Sequence, residues 1–347
     1  DRESEVSNAR KKIHQLAGQE FNVNSTKQLQ QVLFTDLNLE PRKKTKTGFS
    51  TDAQTLEKMR GDHPIIEELL EYREVEKLRS TYGQGLLNEV GSDERIRATF
   101  HQTVTATGRL SSVSPNLHNI PVRTEKGKVF REVFVAQNNH KLLVADYNQI
   151  ELRCIAHLSS DQGLINAFNE GRDIHTATAA QVFGVKDADV TKAQREKAKM
   201  VSYGLAYGME AYGLAQRLGI ENKEAAKILN DYFSAFPSVK EYMDKAVNQA
   251  KEKGFTETLF GRKRKIPELK SSNSRVRGAA ERQAMNAGIQ GLAADIFKVA
   301  LVNLNKRLKD DNLDSAIILQ VHDEVILECP MDELAHAKDL TLEEMAS

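Results

Sequence analysis

Apolar positions along the first ninety residues recur mostly at helical spacing. Thr26-Lys27-Gln28-Leu29-Gln30-Gln31-Val32-Leu33-Phe34 reads as an amphipathic helix that Asn24-Ser25 can cap. The polar, lysine-rich stretch from Pro41 to Ser50 reads as an exposed loop. From about His63 to Tyr82, the spacing of Leu69, Leu70, Tyr72, Val75 and Leu78 predicts a longer helix. Residues 95–160 shift to strand and loop character around Ser111-Ser112-Val113-Ser114-Pro115-Asn116. Lys141–Ala145 predicts a strand, followed by a helix with Ile150, Cys154, Ile155 and Leu158 on one face. Residues 161–300 are helix-rich, broken at Phe236-Pro237 and across Gly261–Pro267, and strands return around Ile317–Glu328. This order of helical, sheet, helical and sheet segments predicts one sheet domain assembled from two separated pieces, with helical modules around it.

Composition narrows the class. The chain has 347 residues, 40% of them hydrophobic, so two to three domains with real cores are expected. Its 49 basic and 49 acidic residues cancel, which argues against a wholly basic DNA-coating protein. Any nucleic-acid contact must come from local patches. Arg42-Lys43-Lys44-Thr45-Lys46 is one such patch, and Gly254–Arg282 is another, with eight Lys/Arg against three Glu. The segment Asp332–Glu344 is acidic by contrast, and each patch taken alone reads first as a solvated face. The two cysteines, Cys154 and Cys329, form no CxxC or Cys/His cluster and sit in apolar runs, so both are expected in cores. There is no signal-peptide pattern, and no apolar run was expected to approach the ~20 residues that cross a bilayer. The reading is a soluble protein of a reducing compartment.

Candidate chemistry lies at two acidic residues, each closing an apolar strand-like run. Asp146 follows Leu142-Leu143-Val144-Ala145, and Asp323 follows Ile317-Ile318-Leu319-Gln320-Val321-His322. A carboxylate at the mouth of a buried strand is costly unless paired. Two brought together repel, and hard oxygen ligands of this kind suit Mg²⁺. Two such ions roughly 3.5–4 Å apart are a common device for in-line phosphoryl transfer. Arg195, Lys199, Tyr203 and Tyr207 recur every four residues and share one slowly drifting helix face. Two cations followed by two aromatics would order a nucleoside triphosphate. Spacing alone fits better a plain surface helix with two core tyrosines.

Taken together, these stretches resemble a known family. Asp146-Tyr147-Asn148-Gln149-Ile150-Glu151-Leu152-Arg153 is similar to motif A of family A DNA polymerases, the bacterial DNA polymerase I group. The run from Arg195 to Gly208 resembles motif B, and Val321-His322-Asp323-Glu324 resembles motif C. Thr107-Gly108-Arg109-Leu110-Ser111-Ser112, Asn116-Leu117-His118-Asn119-Ile120-Pro121 and the run Arg282–Gly291 resemble further signatures, in the family's order. The resemblance covers nearly the whole chain.

It implies an α+β, right-hand polymerase fold with an antiparallel-sheet palm and mostly helical thumb and fingers. Residues 1–90 would be thumb, 91–160 and 300–347 palm, and 161–299 fingers with a return to the palm. Asp146, Asp323 and the Tyr147 carbonyl would hold two Mg²⁺ ions, with Mn²⁺ as a substitute. Lys199 is implied as a proton donor to pyrophosphate, which places it with the two aspartates as catalytic. Gln149, Glu151, His175, Arg195, Lys199, Tyr203 and Tyr207 would bind the incoming nucleotide, Glu151 excluding a sugar 2′-hydroxyl. Without the family, Glu151 reads as a helix-face Glu in a salt bridge. Tyr203, where many members carry Phe, implies ready acceptance of dideoxynucleotides. Arg109, Asn286, Gln290 and His322 would line the primer-template minor groove, whose acceptors are common to all correct pairs. Asn116, Asn119 and Arg262 would join that row, and Lys77 and Arg282 would add further DNA contacts; Lys/Arg contacts to phosphates would supply most of the affinity.

The implied partners are primer-template DNA and deoxynucleoside triphosphates, with no membrane, for a monomer in the bacterial cytoplasm at the nucleoid. Position 118 is His where the family usually has Gln, which weakens a minor-groove role there. The sequence starts at the thumb signatures and stops soon after the motif C strands, so a fragment with an uncovered sheet edge is expected. Two rivals differ in class. A single-subunit RNA polymerase shares the metal logic but not Glu151, and a non-catalytic primer-template binding module would not need Asp146, Asp323 and Lys199.

Overall fold

The computed structural model describes residues 2–120, 125–206 and 208–346. The chain divides into two compact units, one of Asp1–Thr99 with Ser112–Phe134 and one of Phe100–Ser111 with Val135–Ser347. The described residues are mostly helical, with small antiparallel sheets, which makes the fold α+β as expected.

In the first unit, helices Arg2–Ala17 and Pro64–Lys77 pack through Ile13, Ile65, Ile66, Leu69 and Tyr72, joined by Leu29, Leu33, Leu56 and Met59. The expected helix after Ser25 forms: the Ser25 hydroxyl accepts from the Gln28 N–H, and the α-helix runs from Thr26 to Gln30. It then widens to a π-helix over Gln31–Asp36. The second expected helix starts at Pro64, whose missing N–H costs nothing in a first turn, and widens to π over Leu78–Gln84. Pro41–Ser50 is a correction. A short hairpin pairs Lys44–Thr45 with Gly48–Phe49, closed by the Thr45 hydroxyl on the Gly48 carbonyl at 2.9 Å. Up to the buried Ser50 the stretch is mostly exposed, as expected of polar residues, but threonines and a glycine at φ 141° let it pair as a ribbon.

The second unit is built on a three-stranded antiparallel sheet. The strand His140–Asp146 pairs with Glu324–Pro330, which pairs in turn with Ala316–Val321. Two segments far apart in sequence therefore share one sheet, as the element order predicted. Val325, Leu327 and Cys329 point to one face, where they pack on Phe297, Leu304, Leu308, Ala337 and Leu340. Both cysteines are buried and free.

The helices of 161–300 follow, with breaks where expected: Asn222–Ala235 stops before Phe236, and Pro237 opens the next helix. The Gly261–Pro267 break is the far side of a second hairpin, Phe255–Glu257 with Lys263–Lys265. The 37-residue helix Ser274–Asp310 runs through the unit, capped by the Asn273 side chain. Its small residues let neighbours close in. At Gly288 a β-carbon would fall 2.5 Å from the Tyr242 hydroxyl. This helix corrects the membrane reading, because by length and composition it could cross a bilayer; 56% of its most apolar stretch is buried in the protein, as in a core helix.

Candidate active site

The strand His140–Asp146 ends where its apolar run ends. Tyr147 follows, its ring edge-on to Phe297 at 5.7 Å, with burial pushing its phenol up to about 12. Two residues on, Gln149 adopts a left-handed conformation (φ 59°) that turns the chain into helix Ile150–Ser159. Across the sheet, Asp146 pairs in register with Glu324, and the Tyr147 N–H donates to the Asp323 carbonyl at 3.0 Å. His322, at φ 53°, makes the tight turn that sets Asp323 beside Asp146. The two strand-end aspartates of the sequence are thus neighbours in space. Loss of hydration raises the Asp146 carboxyl above its ordinary value, and the Asp323 charge adds to that, with His322 and the Tyr147 N–H opposing.

Among the described residues no group of three or more His, Cys, Asp or Glu forms a metal cage. Two repelling carboxylates at a strand mouth instead fit a hard cation that keeps water and borrows substrate phosphate oxygens, the usual habit of Mg²⁺. The upward push on Asp146 from Asp323 is the local sign of unneutralised negative charge that such an ion would relieve.

Arg109 reaches this pair from the Thr105–Arg109 turn. Its guanidinium donates to Glu151 at 2.6 Å and lies 3.5 Å from Asp323. Glu151, in the first turn of helix Ile150–Ser159, is only 6% exposed. The salt-bridge reading of Glu151 is therefore present in the structure, and Arg109, expected in a minor-groove row, holds both carboxylates here. Its bridge carries the charge of a buried acid that would otherwise be expensive.

The basic helix spans Lys192–Ala206. Arg195 pairs with Asp173 at 2.8 Å, and Asp173 caps helix Ile174–Phe183 by accepting from the Thr176 N–H at 2.7 Å. This holds the Asp173 carboxyl well below the usual range, chiefly through Arg195. His175 is buried, its Nδ1 has no hydrogen-bond partner among the described residues, and its ring lies 5.5 Å from that of Tyr203. Burial lowers the His175 pKa; nearby Asp173 opposes this, while the Arg195 and Lys199 cations reinforce it. The imidazole is thereby biased to its neutral form. Lys199 is half-buried one turn before Tyr203. Tyr203 joins the helix to the carboxylates: its phenol is raised by burial and then by the charges of Glu151 and Asp146. Gln149 is partly buried and makes no side-chain cap bond. Tyr207 lies outside the described residues.

A third row comes from the long helix. Arg282, Asn286 and Gln290, four residues apart, meet the turn that follows the basic helix. Arg282 pairs with Glu210 at 2.6 Å, and Gln290 donates to the Ala206 carbonyl at 3.3 Å. Asn286 is buried against Gly208, where a β-carbon would stand 2.3 Å from its Nδ2, and its Oδ1 has no partner among the described residues. Arg262 is bound to Asp295 at 2.6 Å. His322 is exposed at its turn. Lys77, Asn116 and Asn119 belong to the other unit. Lys77 ends a helix and is exposed; the Asn116 side chain caps a 3-10 turn, and the Asn119 carbonyl accepts from Tyr82.

Three participants escaped the sequence reading: Asp173, Thr258 and Asp295. Asp295 left a signal, since a carboxylate inside Ala293-Ala294-Asp295-Ile296-Phe297 must be buried and so must have a partner. Asp173 has the position of a helix cap before Ile174-His175.

One end of the sheet thus carries Asp146 at the close of one strand and Asp323 in the turn between the other two, with Tyr203 of the basic helix in the field of Asp146. The chain belongs to DNA polymerase family A, whose model matches residues 1–347. It is 50% identical to DNA polymerase I of Caldicellulosiruptor bescii over 344 residues, covering 99% of this chain and 40% of that protein. It is 51% identical to DNA polymerase I of Geobacillus stearothermophilus over 326 residues, covering 93% of this chain and 37% of that protein. Among solved structures, the POL domain of Pol1 from M. smegmatis, in complex with DNA primer-template and dNTP, superimposes with a TM-score of 0.93. That match has 47% identity and covers 99% of this chain and 61% of the other. The chain thus spans about two fifths of the length of these two DNA polymerase I relatives.

Proposed function

We propose that this chain carries out template-directed DNA synthesis, adding deoxynucleotides to a primer 3′-hydroxyl with release of pyrophosphate, in replication and repair. The observation that carries the reading is the adjacency of Asp146 and Asp323 at one end of the sheet, with Tyr203 of the basic helix in the field of Asp146 and Glu151. Asp146, Asp323 and the Tyr147 carbonyl would hold two Mg²⁺ ions. When bound, these would acidify the 3′-hydroxyl and neutralise the triphosphate.

The protein's own groups do the rest. Arg195 and Lys199 bind phosphates, Arg195 exchanging Asp173 for the ligand. Lys199, an ammonium, can give a proton to the leaving pyrophosphate. Neutral His175 offers an N–H to a phosphate oxygen without adding charge. Tyr203, followed by Tyr207, offers a face to the base, and Gln149 flanks the nucleotide. Glu151, clamped by Arg109, fills the space a sugar 2′-hydroxyl would need, so a ribonucleotide meets a buried carboxylate. Arg109, Asn286, Gln290 and His322 face the nascent pair as donors. Lys77, Asn116, Asn119, Arg262 and Arg282 serve the duplex. In this reading residues 1–90 act as thumb, 91–160 with 300–347 as palm, and 161–299 as fingers, in a monomer of the bacterial cytoplasm.

The test is extension of a recessed primer with Mg²⁺, comparing deoxy- with ribonucleotides and wild type with Asp323→Asn. Extension with deoxynucleotides only, lost in the variant, is expected. Salt-sensitive DNA binding without extension would instead make the chain a non-catalytic primer-template module.

A further inference from the structure

Arg109 must be held from behind to serve two carboxylates at once, and the structure has a chain of contacts that does so. Asp295, on the long helix, is 5% exposed. It accepts from Arg262 Nε at 2.6 Å and from the Thr258 hydroxyl at 2.7 Å. Both donors stand in the Thr258–Arg262 turn, which also closes on itself. The Thr258 N–H donates to the Arg262 carbonyl at 3.0 Å, and the Arg262 N–H to the Thr258 hydroxyl at 3.2 Å. The Thr258 methyl lies against Gly291, where a β-carbon would fall 2.6 Å from it.

Fixed in this way, the Arg262 side chain packs on Gly108. A β-carbon at Gly108 would stand 2.6 Å from Nε, 2.8 Å from Cζ and 2.9 Å from Cδ, so only glycine fits, and its φ of +83° favours glycine as well. The next residue is Arg109. Its backbone is closed into the turn by the Thr105 hydroxyl on the Arg109 carbonyl and by the Arg109 N–H on the Thr107 hydroxyl at 3.4 Å. Its guanidinium then reaches Glu151 and Asp323.

We infer that Asp295 is a positioning residue: through Thr258, Arg262 and the side-chain-free face of Gly108, it sets Arg109 on Glu151 and Asp323, and so fixes the carboxylate that sorts the sugar. The inference rests on the proposed polymerase reading and adds to it a group that touches neither nucleotide nor metal. It also gives Arg262 a task independent of DNA.

The test is single-turnover incorporation of matched deoxy- and ribonucleotides by wild type, Asp295→Asn, Arg109→Ala and the double variant. Thermal unfolding runs beside it. Discrimination, the ratio of the two kcat/KM values, should fall about tenfold or more in Asp295→Asn, because small misplacements at a reacting centre cost that much. In the Arg109→Ala background the same change should have no further effect. An unchanged ratio in a folded Asp295→Asn protein, or effects that multiply in the double variant, would overturn the inference. If Asp295→Asn does not fold, Thr258→Val, which removes one bond to the same carboxylate, should show a smaller loss of the same kind. An activity-independent readout is the Arg109 Nε–H NMR signal, assigned by its disappearance in Arg109→Lys. It should shift or broaden in Asp295→Asn, and an unmoved signal contradicts the inference. A wild type that extends no primer would count against the polymerase reading alone, while the NMR arm still decides the positioning role.

Discussion

Removing one negative charge from the strand-end pair should stabilise the protein while destroying its proposed chemistry. Asp323 precedes Glu324, the cross-strand partner of Asp146, and its carbonyl accepts from the Tyr147 N–H at 3.0 Å, so the two carboxylates are neighbours at roughly 6 Å. At an effective dielectric near 20, such a pair repels by about 3 kcal/mol. Asp146 is exposed on one side, so screening reduces this to about 1 kcal/mol. The sign follows from its raised pKa. The folded state disfavours the Asp146 charge, so stability is fully present below the ordinary carboxyl value and is lost as pH rises through the raised one. Asp146→Asn should therefore raise the Tm at neutral pH in chelator by about 1–2 °C. It should make no such difference in acid. Asp323→Asn should give less, because it also gives up the Arg109 contact at 3.5 Å. Thermal unfolding with and without Mg²⁺ is the assay. At about ten times its Kd, the ion should add about 1.4 kcal/mol to wild type. Neither variant should gain as much. A lower Tm for Asp146→Asn in chelator, or equal stabilisation of all three proteins by Mg²⁺, would refute the reasoning.

Three further outcomes are expected. Asp52 caps a helix by accepting from the Thr55 N–H at 2.7 Å and also accepts from the Ser50 hydroxyl, which with Thr55 holds its carboxyl far below the usual range. Its contribution is full above about pH 4 and is lost as pH falls through the depressed value. Asp52→Asn should flatten that part of the acid dependence of Tm, and an unchanged acid profile would contradict it. Gly208→Ala should cost about 1–2 kcal/mol from its left-handed φ of +71° alone, with Asn286 displaced as well, and an unchanged Tm would show the turn to be slack. Tyr203→Phe removes a hydroxyl lying in the field of Glu151 and Asp146 and should reduce dideoxynucleotide incorporation by about tenfold or more; equal acceptance by both proteins in a chain-termination assay would dismiss the tyrosine's role.

Much of the fold was legible because local physics fixes it. Period-3.6 runs, the Ser25 cap and the break at Phe236-Pro237 each depend on a few neighbouring residues. The sheet made from distant pieces was also legible, since two apolar runs closed by aspartates need a common place to bury their sides. What stayed hidden depends on residues far apart in sequence. Nothing local says that Arg195 meets Asp173, or that Arg109 bridges Glu151 and Asp323. The 44–49 hairpin was missed because its residues are polar apart from Gly48 and Phe49 and its strands are two residues long, so no alternation marks a strand. The π-turns after Gln30 and Lys77 leave the apolar spacing almost unchanged and so escape a periodicity argument. Asp295 and Asp173 each left a signal, a carboxylate in an alanine-rich helix and a cap position before Ile174-His175, but their partners could come only from the fold.

The most direct test of the central claim is single-nucleotide incorporation on four primer-templates that differ only in the templating base. Each reaction would receive all four deoxynucleotides singly, with pyrophosphate measured alongside. The account predicts addition of the complementary nucleotide in each case, one pyrophosphate released per addition, and neither product from Asp146→Asn. Addition that ignores the templating base, or addition that survives in Asp146→Asn, would contradict it.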